Sequence, residues 1–282
     1  MLLPGQAPSL RLPRMIESLR ATIEASPFGA AIVAGTLGGA GATFIGALPV
    51  LAIRWLPARF ANLMLAFAAG VMLAASAFSL LLPALDRTVA LPLGKPQAAL
   101  AVIAALAMGG AMMWAIQAFA PHQHFVKGRE GARAEIERIW LFVIAVAIHN
   151  VPEGLAIGVA TASGDLRIGL GATLGIGLQN LPEGLAVAFA LVAEGYTRRA
   201  ALGVALLTGL VEVVGAALGA AAVTLAAALL PGALAFAAGA MLFVISDEII
   251  PETHRRGQRG AVTVALLIGF ALMFFLDTAL VF

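Results

Sequence analysis

Hydrophobic residues along this chain fall into eight long runs separated by short polar breaks. They lie near Phe28 to Ile53, Ala61 to Leu85, Gln97 to Ala120, Ile139 to Thr161, Ile168 to Ala193, Ala200 to Leu229, Gly232 to Ile250 and Ala261 to Phe282. A helix needs about 20 mainly apolar residues to cross the hydrocarbon of a bilayer. The pattern therefore predicts eight transmembrane helices with short connections, the longest running from Pro121 to Arg138. Two runs carry polar residues at their middle: Ile148-His149-Asn150-Val151-Pro152-Glu153-Gly154 in the fourth and Leu178-Gln179-Asn180-Leu181-Pro182-Glu183-Gly184 in the fifth. An ionised side chain at membrane depth costs on the order of 3 kcal/mol or more. These residues need partners, and the rest of the chain reads as their housing.

Composition agrees. With 61% hydrophobic and 11% charged residues and a mean hydropathy of +1.00, the chain belongs with all-α polytopic membrane proteins and not with soluble domains. Its many Gly and Ala residues fit closely packed membrane helices. One eight-helix domain over residues 28–282 follows a tail of residues 1–27. In that tail Arg14 to Ala25 reads either as an amphipathic helix on the membrane surface or as a disordered segment, and no uninterrupted apolar core of the signal-peptide type is present. A formal net charge of +2 gives no reason to invoke nucleic acid. The absence of Cys removes disulfides, thiolate metal sites and cysteine nucleophiles together.

Basic residues set the expected orientation. The odd connections hold Arg54, Arg59, Lys127, Arg129, Arg133, Arg138, Arg198, Arg199, Arg255, Arg256 and Arg259, whereas the even ones hold Arg87, Lys95 and Arg167. The bias places the odd connections, including residues 121–138, in the cytoplasm and both termini outside, although Arg11, Arg14 and Arg20 in the tail pull the other way.

Two internal repeats sharpen this picture. His149-Asn-Val-Pro-Glu-Gly-Leu-Ala aligns with Gln179-Asn-Leu-Pro-Glu-Gly-Leu-Ala, so the fourth and fifth helices form an antiparallel pair with the same polar face. Phe67-Ala-Ala-Gly-Val-Met-Leu in the second run matches Phe236-Ala-Ala-Gly-Ala-Met-Leu in the seventh, each followed by a proline, Pro83 and Pro251. Five crossings separate these two runs, so they traverse the membrane in opposite directions. That is the pattern of an inverted-topology repeat, from which transporters build two alternately open pathways.

On a helix, residues three or four apart share a face. His149 lies over Glu153 with Asn150 beside it, and Gln179 over Glu183 with Asn180 beside it. Pro152 and Pro182 lack an N–H, which deprives the carbonyls of Ile148 and Leu178 of their helical partners. Imidazole, carboxylates, amide oxygens and freed carbonyls together describe a divalent-cation site with N and O ligands. Glu212 in the sixth run is either a third carboxylate wall of that site or an interhelical hydrogen-bond partner. The repulsion among three acids is relieved by a bound divalent ion or by protons.

Other polar positions have two readings each. Met72 is core filler or a soft thioether ligand. Asp86 and Asp277 are solvated helix ends or an outer approach, and Asp247, Glu248, Glu252 and His254 are an exposed helix terminus or an exit relay for the ion. His122 and His124 are inert residues of a flexible loop or a place where metal is handed on.

The paired His-Asn-Val-Pro-Glu-Gly and Gln-Asn-Leu-Pro-Glu-Gly segments in an eight-helix chain resemble the signatures of the ZIP (Zrt/Irt-like) metal-ion transporters, especially the bacterial GufA-like branch. The resemblance implies import of Zn2+, with Cd2+, Fe2+ or Mn2+ as further substrates and no organic cofactor, across the bacterial cytoplasmic (inner) membrane. It implies a 3+2+3 arrangement in which helices 1–3 and 6–8 are inverted repeats around helices 4 and 5, and an elevator-like slide of the unit carrying that pair. It also implies a metal centre built from His149, Asn150, Glu153, Gln179, Asn180, Glu183 and Glu212, with Met72 touching the first metal. Some relatives have an acid at the position of Asn180 and others a His at that of Gln179; neutral amides at both weaken the second metal position, so one firmly held metal is expected. The Gly/Ala-rich outer surface permits a homodimer.

Three rivals remain at this point. An intramembrane metal-dependent hydrolase would want a base beside the ligands, as in a His-Glu-x-x-His helix, and a di-metal oxidase would want Glu-x-x-His pairs. Neither motif is present. A transporter selective for Mn2+, Fe2+ or Mg2+ would favour oxygen ligands, and His149 argues against Mg2+. Because ligands must shed their protons to bind a metal, adding Zn2+ to the purified protein in weakly buffered detergent should acidify the solution. An unchanged pH on metal binding would contradict this reading of the acids.

Overall fold

The computed structural model describes residues 17, 21, 23–53, 55–92, 94–120, 122–124, 128–130, 138–255 and 259–279, with backbone alone at 122–124, 128–130, 138 and 255. Most of the Arg14 to Ala25 stretch lies outside these residues. Eight helices are long and apolar enough to cross a membrane: α1 (Pro27–Leu51), α2 (Ala58–Val89), α3 (Lys95–Phe119), α4 (Ile139–Ala162), α5 (Leu166–Ala193), α6 (Arg198–Leu225), α7 (Ala227–His254) and α8 (Arg259–Ala279). Each expected run has its helix.

Caps extend several of these helices beyond their apolar runs. The Ser26 hydroxyl accepts from Gly29 N at the start of α1, and the Thr197 hydroxyl from Ala200 N at the start of α6; such caps satisfy donors that no helical carbonyl reaches. The sixth run ends earlier than expected because Ala227–Leu229 form a 3-10 turn that opens α7. The stretch expected as a flexible loop contains a short antiparallel ribbon, β1 (His122–His124) paired with β2 (Gly128–Glu130). The side chains of His122 and His124 lie outside the described residues.

Helix α4 packs along α6, α2 along α8, α3 along α7, and α5 against α1 and α2. Glycine sets how closely they approach, since without a Cβ two backbones can touch. A Cβ on Gly70 would strike the Leu266 carbonyl, and one on Gly239 the Leu106 carbonyl; a Cβ on Gly269 would strike the Phe67 carbonyl, and one on Gly109 the Phe236 carbonyl. The two copies of Phe-Ala-Ala-Gly thus make the same pair of contacts, one with α8 and the other with α3. The duplicated Pro-Glu-Gly behaves alike: Gly154 abuts the backbone of Glu212 on α6, and Gly184 that of Thr43 on α1.

Helices α2 and α7 also widen at matching places. Ala75–Leu81 and Ile245–Ile249 are π-helical, each just ahead of a proline, Pro83 or Pro251. A proline has no N–H to offer and its ring crowds the preceding turn, and a π-turn is one way for a helix to absorb that. The third π-helical stretch, Gly35–Gly41, lies in glycine-rich α1.

Overpacking a well-filled interface costs about 1–3 kcal/mol. Gly70→Val and Gly239→Val should each lower the melting temperature in detergent, whereas Gly203→Ala and Gly232→Ala, with no atom near the new Cβ, should leave it unchanged. Equal melting temperatures for both pairs would contradict the glycine contacts.

Candidate functional site

Helices α4 and α5 lie against each other and carry the duplicated motif at mid-length, with Pro152 and Pro182 inside continuous helices. The amides of both motifs turn toward α6. Asn180 Nδ2 donates to both oxygens of Glu212 at 2.9 Å and to the Gly38 carbonyl at 2.9 Å. Asn150 Nδ2 donates to the Thr208 carbonyl at 3.0 Å and to Glu212 Oε1 at 3.4 Å. Gln179 Nε2 donates to Asn180 Oδ1 at 2.6 Å. Glu212, fully buried, is therefore held by side chains from both halves of the motif, and the close approaches at Gly39 and Gly154 bring α1 and α4 to it.

The other two acids are placed differently. Glu153 Oε2, Glu183 Oε1 and Asn150 Oδ1 are buried with no hydrogen-bond partner. A carboxylate oxygen or an amide oxygen only accepts, and leaving one such group unsatisfied costs about 1–3 kcal/mol, more if it is charged. Three acceptors left in one place suit a cation.

His149 faces the carboxylate of Glu248 on α7, and the second oxygen of that carboxylate accepts from the Gln117 side-chain amide on α3. Glu248 is buried, unlike the exposed helix terminus that was one reading of it, because α7 continues to His254 and its π-turn carries Glu248 inward. Gln117 was not anticipated. Its signal is an amide inside the third run, whose other amide, Gln97, stands at the start.

A cleft of about 320 Å³ reaches this cluster, with His149, Glu153, Gln179 and Glu183 at its floor. One wall is α2 and α7, through Asn62, Leu65, Glu248 and Glu252, and the other is α4 and α5, through Phe142 and Phe189. The cleft leads toward the start of α2, where Leu56 and Ala61 line it. A second pocket of about 610 Å³ lies at the opposite, far end, between the end of α2, the start of α5 and the end of α8, and is lined by Asp86, Asp165, Arg167 and Asp277 among others. Buried apolar residues separate the two, with Met72 and Ile176 in one cluster and Ala75 and Met273 in another.

The remaining expected positions divide between these places. Met72 belongs to the apolar separator and does not line the cleft. Glu252 lines the cleft, whereas Asp247 and His254 do not. A ring nitrogen of His254 meets the Ile250 carbonyl at 2.9 Å, within its own helix. Asp86 and Asp277 line the far pocket, and Asp277 is buried, accepting from the Ser79 hydroxyl at 3.0 Å. Among the described residues no three His, Asp or Glu side chains are gathered into a ready-made metal cage. The cluster is mixed, with amides interleaved among the acids and the imidazole.

Comparison with known proteins identifies the family. A family model described as ZIP zinc transporter matches residues 121–277. The chain is 49% identical to zinc transporter ZIPB of Bordetella bronchiseptica over 253 residues, covering 89% of this chain and 82% of that one. It is 44% identical to zinc transporter GufA of Myxococcus xanthus, covering 89% and 99%. Human zinc transporter ZIP11 is 44% identical over 149 residues, 51% of this chain and 44% of that one. The relatives are transporters, which removes the hydrolase and oxidase readings, and the chain is an eight-helix membrane transporter that belongs to the ZIP family.

Proposed function

We propose that the protein imports Zn2+ across the bacterial cytoplasmic membrane, holding the ion between α4 and α5 and releasing it through the cleft. The observation that carries this reading is the set of three buried, partnerless oxygens of Glu153, Glu183 and Asn150, with the two glutamates beside His149 on the floor of the same cleft. One imidazole among oxygens suits a borderline cation such as Zn2+ better than Mg2+, and the relatives are named as zinc transporters. Cd2+, Fe2+ and Mn2+ share enough of that chemistry to be substrates as well.

His149, Glu153, Gln179 and Glu183 would contact the ion first, and Glu248 and Glu252 would take it along the cleft wall. Glu212 and Asn180 would form the back of the site. Asn180 offers an N–H to both Glu212 oxygens, which is where a second cation would sit, so the centre holds one metal firmly. Met72 would act as an apolar wall on the far side.

The matching glycine contacts of α2 with α8 and of α7 with α3 support an inverted 3+2+3 repeat around α4 and α5. The same repeat supports alternating access, in which the cleft closes and the far pocket opens toward the metal site. The excess of Lys and Arg in the odd connections supports placing the cleft mouth in the cytoplasm and both termini outside.

Uptake into proteoliposomes with a metal-sensitive dye inside tests the reading. Zn2+ should enter, and His149→Ala and Glu183→Ala should each cut the flux roughly tenfold or more, since losing even an outer hydrogen-bond partner of a metal ligand lowers affinity by about that factor. Undiminished flux in both variants would overturn the site. Asn180→Asp should raise the Zn2+ bound per chain from one toward two, as read by elemental analysis, and a constant ratio would contradict the role given to Asn180.

A further inference from the structure

We propose that two arginine–aspartate pairs at the far end, Arg87–Asp165 and Arg167–Asp277, form a latch that keeps α5 against α2 and α8 while the cleft at the other end is open. The proposal rests on the reading that the protein alternates between two open forms.

The pairs connect different helices in a definite order. Arg87, in the last turn of α2, places Nη2 3.3 Å from Asp165 Oδ2 at the N-terminus of α5. Arg167, in the first turn of α5, places Nη2 3.6 Å from Asp277 Oδ2 on α8. Helix α5 is thus tied on two sides, through its acid toward α2 and through its base toward α8. A third contact closes the ring, since Ser79 on α2 donates to Asp277 Oδ1.

Both aspartates divide their oxygens between a fixed partner and a movable one. Asp165 Oδ1 caps α5, accepting from Arg167 N at 3.1 Å and Ile168 N at 3.4 Å, which leaves Oδ2 for the arginine of another helix. Asp277 Oδ1 takes the Ser79 hydroxyl and leaves Oδ2 for Arg167. The carboxylates are held in place whether or not the arginines are engaged, so the pairs can break and re-form without rebuilding their surroundings. The Arg87, Asp165 and Arg167 side chains are between 34% and 50% exposed and Asp277 9%, so the first pair is a weak surface pair and the second has its arginine in reach of water.

Position gives the pairs their effect. Just beneath them α5 is sealed: a Cβ on Gly175 would meet Met273 Sδ at 2.8 Å and Ala75 Cβ at 3.4 Å. The next turn of α5 carries Gln179 and Asn180 of the metal site. Opening a path from the far pocket to those residues requires α5 to part from α2 and α8, and that motion stretches both pairs. At the cleft end, α4 and α5 already stand apart from α2 and α7.

The chain has no cysteine, so a single introduced one reports opening cleanly. Ala75→Cys and, separately, Ala172→Cys place a thiol in the sealed layer, off the cleft lining. The rate of modification by a bulky charged thiol reagent is measured on the full-length protein in detergent. Arg167→Gln should raise that rate about threefold to tenfold in both backgrounds, a size set by the modest strength of half-exposed ion pairs. Asp165→Asn, which still caps α5 because Asn caps as well as Asp, should raise it by a similar factor. Exchanging the charges, Arg167→Asp with Asp277→Arg, should bring it back down. Molar salt should speed the reaction in the parent and not in an Arg87→Gln, Arg167→Gln double variant. Rates that ignore Arg167, Asp165 and salt overturn the latch. Zn2+ flux separates the two ideas: an unmodified chain that moves no metal sinks the transport reading, whereas intact flux with unaltered labelling sinks the latch alone.

Discussion

A carboxylate in the middle of a membrane-spanning bundle has to be given donors or a cation, because lipid supplies neither. Glu212 is given donors. Asn150 and Asn180, one from each copy of the motif, turn their amides to it, and Asn150 reaches it because Gly154 lets α4 lie on the backbone of α6. Glu153 and Glu183 stand at the equivalent place on their own helices but keep an oxygen each without a donor. The tripeptide Pro-Glu-Gly thus does two jobs in adjacent residues, as the glycine sets the helix spacing and the glutamate before it faces the space so defined.

The same scaffold is used twice with different polar residues. Thr43 on α1 meets Gly184 as Glu212 on α6 meets Gly154. Asp277 and Ser79 join α8 to α2, where Gln117 and Glu248 join α3 to α7. Backbone contacts through glycine need only small residues at the right spacing, so they persist in both halves. Side-chain chemistry is free to diverge, and here one half turns Glu248 to His149 while the other turns Asp277 to Arg167. The result is a structure whose two ends are built alike and behave differently, one holding the open cleft and the other a pocket sealed from the site.

Much of this was legible in the amino-acid sequence. Eight helices follow from run length alone, and the duplicated motif announces itself as polar residues where they are expensive. The Phe-Ala-Ala-Gly repeat, a pattern of small residues that chance alone produces in an Ala/Gly-rich chain, acquires a reason from the carbonyls that Gly70 and Gly239 touch. What sequence could not convey is which residues near helix ends are buried. Glu248 and Asp277 look like solvated termini, yet α7 runs on past Glu248 as far as His254, and Asp277 is covered where α8 meets α2. Gln117 escaped notice because an amide carries no charge to mark it. Met72 shares a run with the repeat, and its place in one buried cluster with Ile148 and Ile176 depends on how three helices meet.

The claim on which the rest turns is that one imidazole, from His149, and otherwise oxygen ligands hold the transported metal. X-ray absorption at the zinc edge of the Zn2+-loaded protein addresses it directly, since imidazole gives a distinctive multiple-scattering signal and the chain has only four histidines. The expected spectrum shows a single imidazole at about 2.0 Å with oxygen neighbours, and loses the imidazole signal in His149→Ala. A spectrum with two or more imidazoles, or with one that survives that substitution, would contradict it.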